Sequence, residues 1–321
     1  MKKILTVAIA AAIAVPMAST AADTTLYGKI NNSVVHTDAD GSSTNWDVKD
    51  NASRVGIKAS EDLGNGMTAL LQFEFKADSD TASGIYGGRL GYVGLSGGFG
   101  TVLLGQQWGP YYGAVDKTDI FSLPGVNDHY LAGAFRHSDT LAYASPNFGG
   151  FSVTIGAVMN GDNDVAAVAF AQDTATTAEV AAVAASTDEN GVDVWTGALN
   201  YNNAGLSIGL GFMEYQGSST SDMLGLGVKY AMGNFAVIGQ YERQDNATDD
   251  NAWAIGGTAN FGNNVAKLVY GNKEVGAADE SGWGVGLDHN FTKRTKVFVE
   301  YHNSEIGVNT DNFGVGMQHV F

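Results

Sequence analysis

The chain has 321 residues and a net charge of −17, from 17 Lys+Arg against 34 Asp+Glu, with 43 Gly, 4 Pro and no Cys. Lack of cysteine removes thiolate metal sites, iron–sulfur clusters, cysteine nucleophiles and a disulfide framework, and the acidic balance argues against a nucleic-acid partner, which needs a basic footprint. A mean hydropathy of −0.05, with no run of about 20 apolar residues beyond the N-terminus, argues against helical membrane spans, and 15 Phe, 13 Tyr and 5 Trp are too many aromatics for long disorder.

The first segment reads as a targeting peptide. Lys2 and Lys3 precede an apolar core from Ile4 to Val15, Pro16 breaks it, and small residues from Ala18 to Ala22 follow. Residues 1–22 are expected to be a signal peptide cleaved after Ala21 or Ala22. Losing its two lysines takes the net charge from −17 to −19. Residues 23–321 are expected to form one domain outside the cytoplasm.

From residue 23 onward the dominant period is two. Phe151, Val153 and Ile155 oppose Ser152, Thr154 and Gly156; Leu206, Ile208, Leu210 and Phe212 oppose Ser207, Gly209 and Gly211. Leu224, Leu226 and Val228 oppose Gly225, Gly227 and Lys229, and the alternation continues through Trp283–Phe291 and Phe313–Phe321. A soluble sandwich also alternates. Here the segments are about 10 residues long, as tilted spanning strands are, aromatics recur at the ends of the apolar faces, and the opposite faces are polar. In chain order the predicted strands are 24–36, 52–62, 66–77, 84–96, 100–107, 135–146, 150–159, 193–202, 205–215, 222–232, 234–243, 251–261, 264–272, 281–290, 295–304 and 311–321. Tight turns such as Gly97-Gly98, Asn202-Asn203, Gly233-Asn234 and Gly262-Asn263 alternate with longer polar links near 37–51, 78–83, 160–192, 216–221, 245–250, 273–280 and 305–310. Short turns at one rim and long loops at the other describe an all-β transmembrane antiparallel barrel of sixteen strands, wide enough to hold water. Residues 160–192 are expected to be an external loop. Residues 108–134, rich in aromatics and acids and without a period, are expected to be an ordered functional loop.

Several motifs carry a resemblance. Ser53-Arg54-Val55-Gly56-Ile57-Lys58, Glu61-Asp62-Leu63-Gly64-Asn65-Gly66 and Leu70-Leu71-Gln72-Phe73-Glu74 occur together with Leu26-Tyr27-Gly28-Lys29, Arg89-Leu90-Gly91-Tyr92-Val93-Gly94-Leu95, Gly98-Phe99-Gly100-Thr101, Tyr143-Ala144-Ser145-Pro146-Asn147-Phe148-Gly149-Gly150-Phe151 and the terminal Phe321. As a set these resemble the Gram-negative general porins, in their neisserial-type branch. The resemblance implies a homotrimer of sixteen-stranded barrels in the outer membrane, surrounded by lipid and lipopolysaccharide. It also implies a third loop, here 108–134, folded into the lumen, with acidic residues facing a basic cluster on the wall. Arg54, Arg89 and Arg136 match the basic wall; Asp116 and Asp119 match the acidic loop, with Asp128 a weaker third. The family's Pro-Glu-Phe-Gly is replaced by Leu123-Pro124-Gly125-Val126, without the glutamate.

Strand parity independently places Arg54 and Lys58 opposite Val55 and Ile57, hence in the lumen. The competing role for such arginines is to balance a wall carboxylate such as Glu74, and for Asp116 and Asp119 it is to cap a loop turn. Lys29, Lys58, Glu74 and Lys76 are expected as secondary lumen lining. Charges around a narrow aqueous pore set ionic preference, and the acidic mature chain leads to an expectation of weak cation preference. Catalytic chemistry is thin: the six histidines lack paired ligand spacing, His137-Ser138-Asp139 is merely adjacent in sequence, and no P-loop occurs. The sequence therefore predicts a passive, water-filled channel for small hydrophilic solutes and ions, with no catalytic residues, metal or cofactor. The alternatives are a solute-specific channel built on Trp108, Tyr111 and Tyr112, and a barrel that presents its loops for adhesion.

Overall fold

The computed structural model describes residues 23–81, 83–123, 135–159, 191–216, 222–245, 249–305 and 307–321. In chain order its strands are β1 (Asp23–Ala39), β2 (Asn45–Asp50), β3 (Arg54–Gly64), β4 (Met67–Ala77), β5 (Ile85–Gly97), β6 (Gly100–Trp108), β7 (Arg136–Ala144), β8 (Phe151–Val158) and β9 (Val194–Asn203). They continue with β10 (Leu206–Tyr215), β11 (Met223–Met232), β12 (Phe235–Gln244), β13 (Asn251–Phe261), β14 (Asn264–Val275), β15 (Ala278–Asn290), β16 (Thr295–Ser304) and β17 (Thr310–Val320). A short helix, α1 (Pro110–Val115), lies between β6 and β7.

From β3 to β17 each strand pairs antiparallel with the next, and β17 pairs back onto β1 from Lys29↔Val320 to Ala39↔Thr310. β1 uses its first half against β3 and its second half against β2. β2 and β3 therefore share one position in the wall, interrupted at 51–53, and the wall is a closed sixteen-stranded antiparallel barrel, as the sequence predicts. Closure follows from the solvent, because an unpaired strand edge in hydrocarbon leaves backbone N–H and C=O groups unsatisfied. The period-two pattern sorts the faces. Along β14, Leu268 and Tyr270 point out and are exposed, whereas Lys267 and Val269 point in and are buried; along β16, Val299 is outside and Phe298, Glu300 and His302 are inside.

The structure differs from the predicted segments in three places. The link at 37–51 holds β2, whose Trp46 and Val48 lie opposite His36 and Val34 and extend the apolar outer face. The link at 273–280 shrinks to a tight turn through Gly276, at φ 60°, between β14 and β15. The loop after β6 begins with α1, a turn of helix that its sequence, lacking a 3.6-residue period, does not announce. Residues 1–22, Asp128 and most of the 160–192 segment lie outside the described residues.

Glycines on the inner face make room for α1. Tyr111, Ala114 and Val115 pack against Val158, Val194, Ala198, Met213 and Met223 of the inner wall. The helix rests on Gly209 and Gly211 of β10 and on their register partners Gly227 and Gly225 of β11. A Cβ on Gly209 would lie 2.2 Å from the Ala114 carbonyl oxygen, and one on Gly227 2.3 Å from that of Val115. Strain from overpacking of this kind is about 1–3 kcal/mol. Gly227→Val is expected to lower the denaturant midpoint of the refolded barrel accordingly, while Gly98→Ala, at a glycine whose added Cβ meets open space, should leave it unchanged.

Candidate functional site

The loop after β6 is sewn to the inner wall by its backbone. At its root the Gly109 N–H donates to the Phe135 carbonyl at 2.9 Å. Beyond α1, the Lys117 and Thr118 N–H groups and the Thr118 hydroxyl all donate to Gln240 Oε1, at 3.2, 3.3 and 2.8 Å. Gln240 in turn donates to Glu242, which also accepts from the Tyr111 hydroxyl at 3.1 Å. Further on, Phe121 enters a pocket of Ile238, Ala254 and Val269, and Leu123 packs on Val35 and Phe298. Asn31 of β1 reaches the Ser122 carbonyl at 3.4 Å. The loop thus follows the inner wall from β9 round to β1, beyond which come β3, β4 and β5.

Those strands carry the cations. Register sets Lys29 of β1 beside Arg54 of β3, and Arg54 beside Lys76 of β4, a row of three at one height. Arg89 of β5 joins them through Glu74, a buried carboxylate that accepts from Arg89 Nε at 2.7 Å and from the Tyr27 hydroxyl at 3.0 Å, with Arg54 Nε at 3.7 Å. Arg54 and Arg89 flank the wall carboxylate, and Arg54 keeps a third of its side chain exposed while that of Arg89 is buried. Lys76 sits 5.5 Å over the Tyr86 ring and Lys58 5.7 Å over that of Tyr27. Arg136 differs from Arg54 in its burial. It is sealed at the root of the loop, its guanidinium 4.6 Å above Trp108.

The two loop acids differ. Asp119 is exposed, and Lys29 lies within electrostatic reach of it and of Arg54, Arg89 and Lys296. Asp116 caps a turn: its carboxylate accepts the Asp119 N–H at 3.2 Å and bonds with Tyr112, and burial pushes its carboxyl above the usual range. The loop also contributes a cation that sequence reasoning missed, Lys117, whose ammonium donates to the Gly113 carbonyl and whose burial lowers its affinity for the proton. Also missed was a buried ionic chain on β14, β15 and β16, the strands that precede β17. Lys267 bonds Asp288 at 2.7 Å and Glu300 at 2.6 Å, and Lys296 bonds Asp288 at 2.9 Å. The available signal was parity, since all four residues sit at lumenal positions of otherwise apolar or glycine-rich strands. Among the described residues no cluster of His, Asp and Glu is disposed to hold a metal ion.

A sequence model of the Gram-negative porins matches residues 6–307. The chain belongs to the Gram-negative porin family. Porins are passive channels of the outer membrane rather than enzymes, and the apolar outer belt of this barrel fits that membrane. The chain is 34% identical over 155 residues to the major outer membrane protein P.IB of Neisseria gonorrhoeae, covering 44% of each protein. It is 33% identical over 172 residues to outer membrane porin protein 32 of Delftia acidovorans, covering 48% of each. The matched stretch thus spans about half the length of these curated relatives. In fold the porin is similar to an anion-selective porin from Comamonas acidovorans, with a TM-score of 0.74 at 24% identity, covering 94% of this chain and 100% of that one. Salmonella typhi OmpF gives 0.72 at 16%, covering 93% and 97%.

Glu74 is the part of this site whose removal has the clearest cost. Its loss removes the carboxylate from a buried ion pair with Arg89, whose side chain is 4% exposed, and breaking a buried pair from one side costs about 3–5 kcal/mol. Glu74→Gln is expected to lower the unfolding free energy of the porin by that amount, and adding Arg89→Gln should recover part of it in a double-mutant cycle.

Proposed function

We propose that this porin is a passive general diffusion channel for small hydrophilic solutes and ions, and that its constriction favours anions weakly. The observation that carries the reading is the charge balance where the loop faces the wall. Arg54 and Arg89 share the buried counter-charge Glu74, Lys29 and Lys76 stand in the same row on either side of Arg54, and the exposed acid Asp119 lies within reach of Lys29. The mature charge of −19 points the other way. Mobile salt screens charges beyond about 8 Å, however, so an ion at the constriction responds to the residues around it and not to acids at the rims. Arginine keeps its charge at every relevant pH, which makes the preference steady.

The solute-specific alternative draws less support. An aromatic slide needs open ring faces, yet Tyr111 is fully buried and bonded to Glu242, while Trp108 is stacked 5.0 Å from Tyr112 and lies beneath Arg136. The proposal includes the homotrimer that the family resemblance implies, with lipid and lipopolysaccharide as neighbours.

Planar-bilayer recording in a KCl gradient tests the reading. The wild type is expected to give large ohmic steps in groups of three with a reversal potential on the chloride side. Asp119→Asn should move it further toward chloride, Arg54→Ala toward potassium, and Asp116→Asn, at the turn cap, should leave it in place. A folded protein that does not conduct defeats the channel, and a potassium-side potential unmoved by Arg54→Ala defeats the assignment of selectivity to this wall.

A further inference from the structure

Two arginines flank Glu74, and the carboxylate treats them unequally. Its Oε1 accepts from Arg89 Nε at 2.7 Å, whereas Arg54 Nε stands 3.7 Å from Oε2, beyond hydrogen-bond reach. Oε2 accepts instead from the Tyr27 hydroxyl, at 3.0 Å. That hydroxyl is aimed by a chain of donors. The Tyr92 hydroxyl donates to Gln72 Oε1 at 2.6 Å, which turns the Gln72 amide nitrogen toward Tyr27, and Gln72 Nε2 donates to the Tyr27 oxygen. A hydroxyl carries one hydrogen, and with its oxygen accepting from Gln72, the Tyr27 hydrogen goes to Glu74. Every donor in the chain points toward the carboxylate, and hydrogen bonds in series polarise one another. Gly56 makes the seat for the ring. Register sets it opposite Tyr27, and a Cβ there would lie 2.5 Å from Tyr27 Cζ. The ring therefore rests on bare backbone, between the lumenal positions of Arg54 and Lys58.

We infer that Tyr27 is a positioning residue for ion selection: by occupying Glu74 Oε2, it keeps Arg54 from closing onto the carboxylate and leaves that guanidinium available to passing anions. This rests on the channel reading above. The contrast between the two arginines carries it. Both stand beside one carboxylate, yet the side chain of Arg89, which is bonded to it, is 4% exposed and that of Arg54 is 33% exposed. A hydrogen bond between two charged groups is stronger than one from a neutral donor, and a guanidinium 3.7 Å from an unmet carboxylate oxygen would close onto it. A closed pair presents a dipole to an ion in the pore, and a dipole acts over a shorter range than a separated charge. Tyr27 meets the carboxylate with a neutral donor and adds no charge of its own. One acid can then anchor Arg89 and still leave Arg54 to the pore.

Tyr27→Phe removes the hydroxyl and keeps the ring on Gly56. In planar bilayers under a KCl gradient it is expected to lower the chloride-to-potassium permeability ratio about twofold, the factor that about 0.4 kcal/mol gives and that a unit charge exerts at about 10 Å in water. In an Arg54→Ala background the same substitution should leave the ratio at its Arg54→Ala value, because no guanidinium remains to close onto Glu74. A merely structural role would act with or without Arg54, and the double-mutant cycle separates the two. Gln72→Leu, which removes the donor that aims the hydroxyl, should act in the same direction and serves if Tyr27→Phe does not fold. A wild-type ratio in folded Tyr27→Phe, or in Gln72→Leu where that variant stands in, overturns the inference. So does an equal shift with and without Arg54. In either case a conducting wild type that responds to Arg54→Ala preserves the channel reading. A conducting wild type indifferent to Arg54→Ala overturns the inference together with the selectivity assigned to this wall, and a folded wild type that does not conduct overturns the channel as well.

Discussion

The bond between the two ends of the sheet is the constraint on which the remaining structure depends. Gly28 and Phe321 exchange backbone hydrogen bonds in both directions, at 3.2 and 3.0 Å, and the register between β1 and β17 then runs without a break to Ala39↔Thr310. Hydrocarbon offers a strand edge no water, so a membrane sheet must close. Once sixteen strands close, the inside is too wide for wall side chains alone to fill. What occupies it is a separate decision, taken by one loop.

That loop replaces the second packed layer a soluble β protein would have. Its helix lies on bare glycine backbone, and Phe121 and Leu123 supply the buried apolar contacts that the barrel wall, with its apolar side turned to lipid, does not make for itself. Gln240 and Glu300 complement this by accepting N–H groups that would otherwise be buried without partners.

Two buried carboxylates divide the electrostatic work. Glu74 gathers Arg54 and Arg89 and lets cations crowd at one height; Glu300 spends its charge on Lys267 and on the loop backbone. Asp116 and Asp119, three residues apart, likewise separate into a turn cap and an exposed charge. In each pair the side-chain chemistry is shared or identical, and the surroundings assign the role.

Local rules carried much of this. Alternation of Phe151, Val153 and Ile155 with small and polar residues is a property of neighbours in the chain, so strands, faces, turns and the lumenal side of Arg54 and Lys58 were legible, as was the even strand count. β2 escaped because six residues give a short period, and the turn at Gly276 because polar residues of flanking strands imitate a loop. Distances across the lumen were beyond reach. Which of Asp116 and Asp119 stays exposed and which wall residues grip the loop depend on contacts between segments more than a hundred residues apart, such as Thr118 with Gln240 and Ser122 with Glu300, and the seat of Arg136 over Trp108 depends on how β6 meets β7. The sequence by itself determined a closed, lipid-facing barrel with charge inside, because period and membrane leave no other solution. Only the tertiary structure decided how that charge is paired, because pairing is settled by where a loop of irregular sequence comes to rest on the wall.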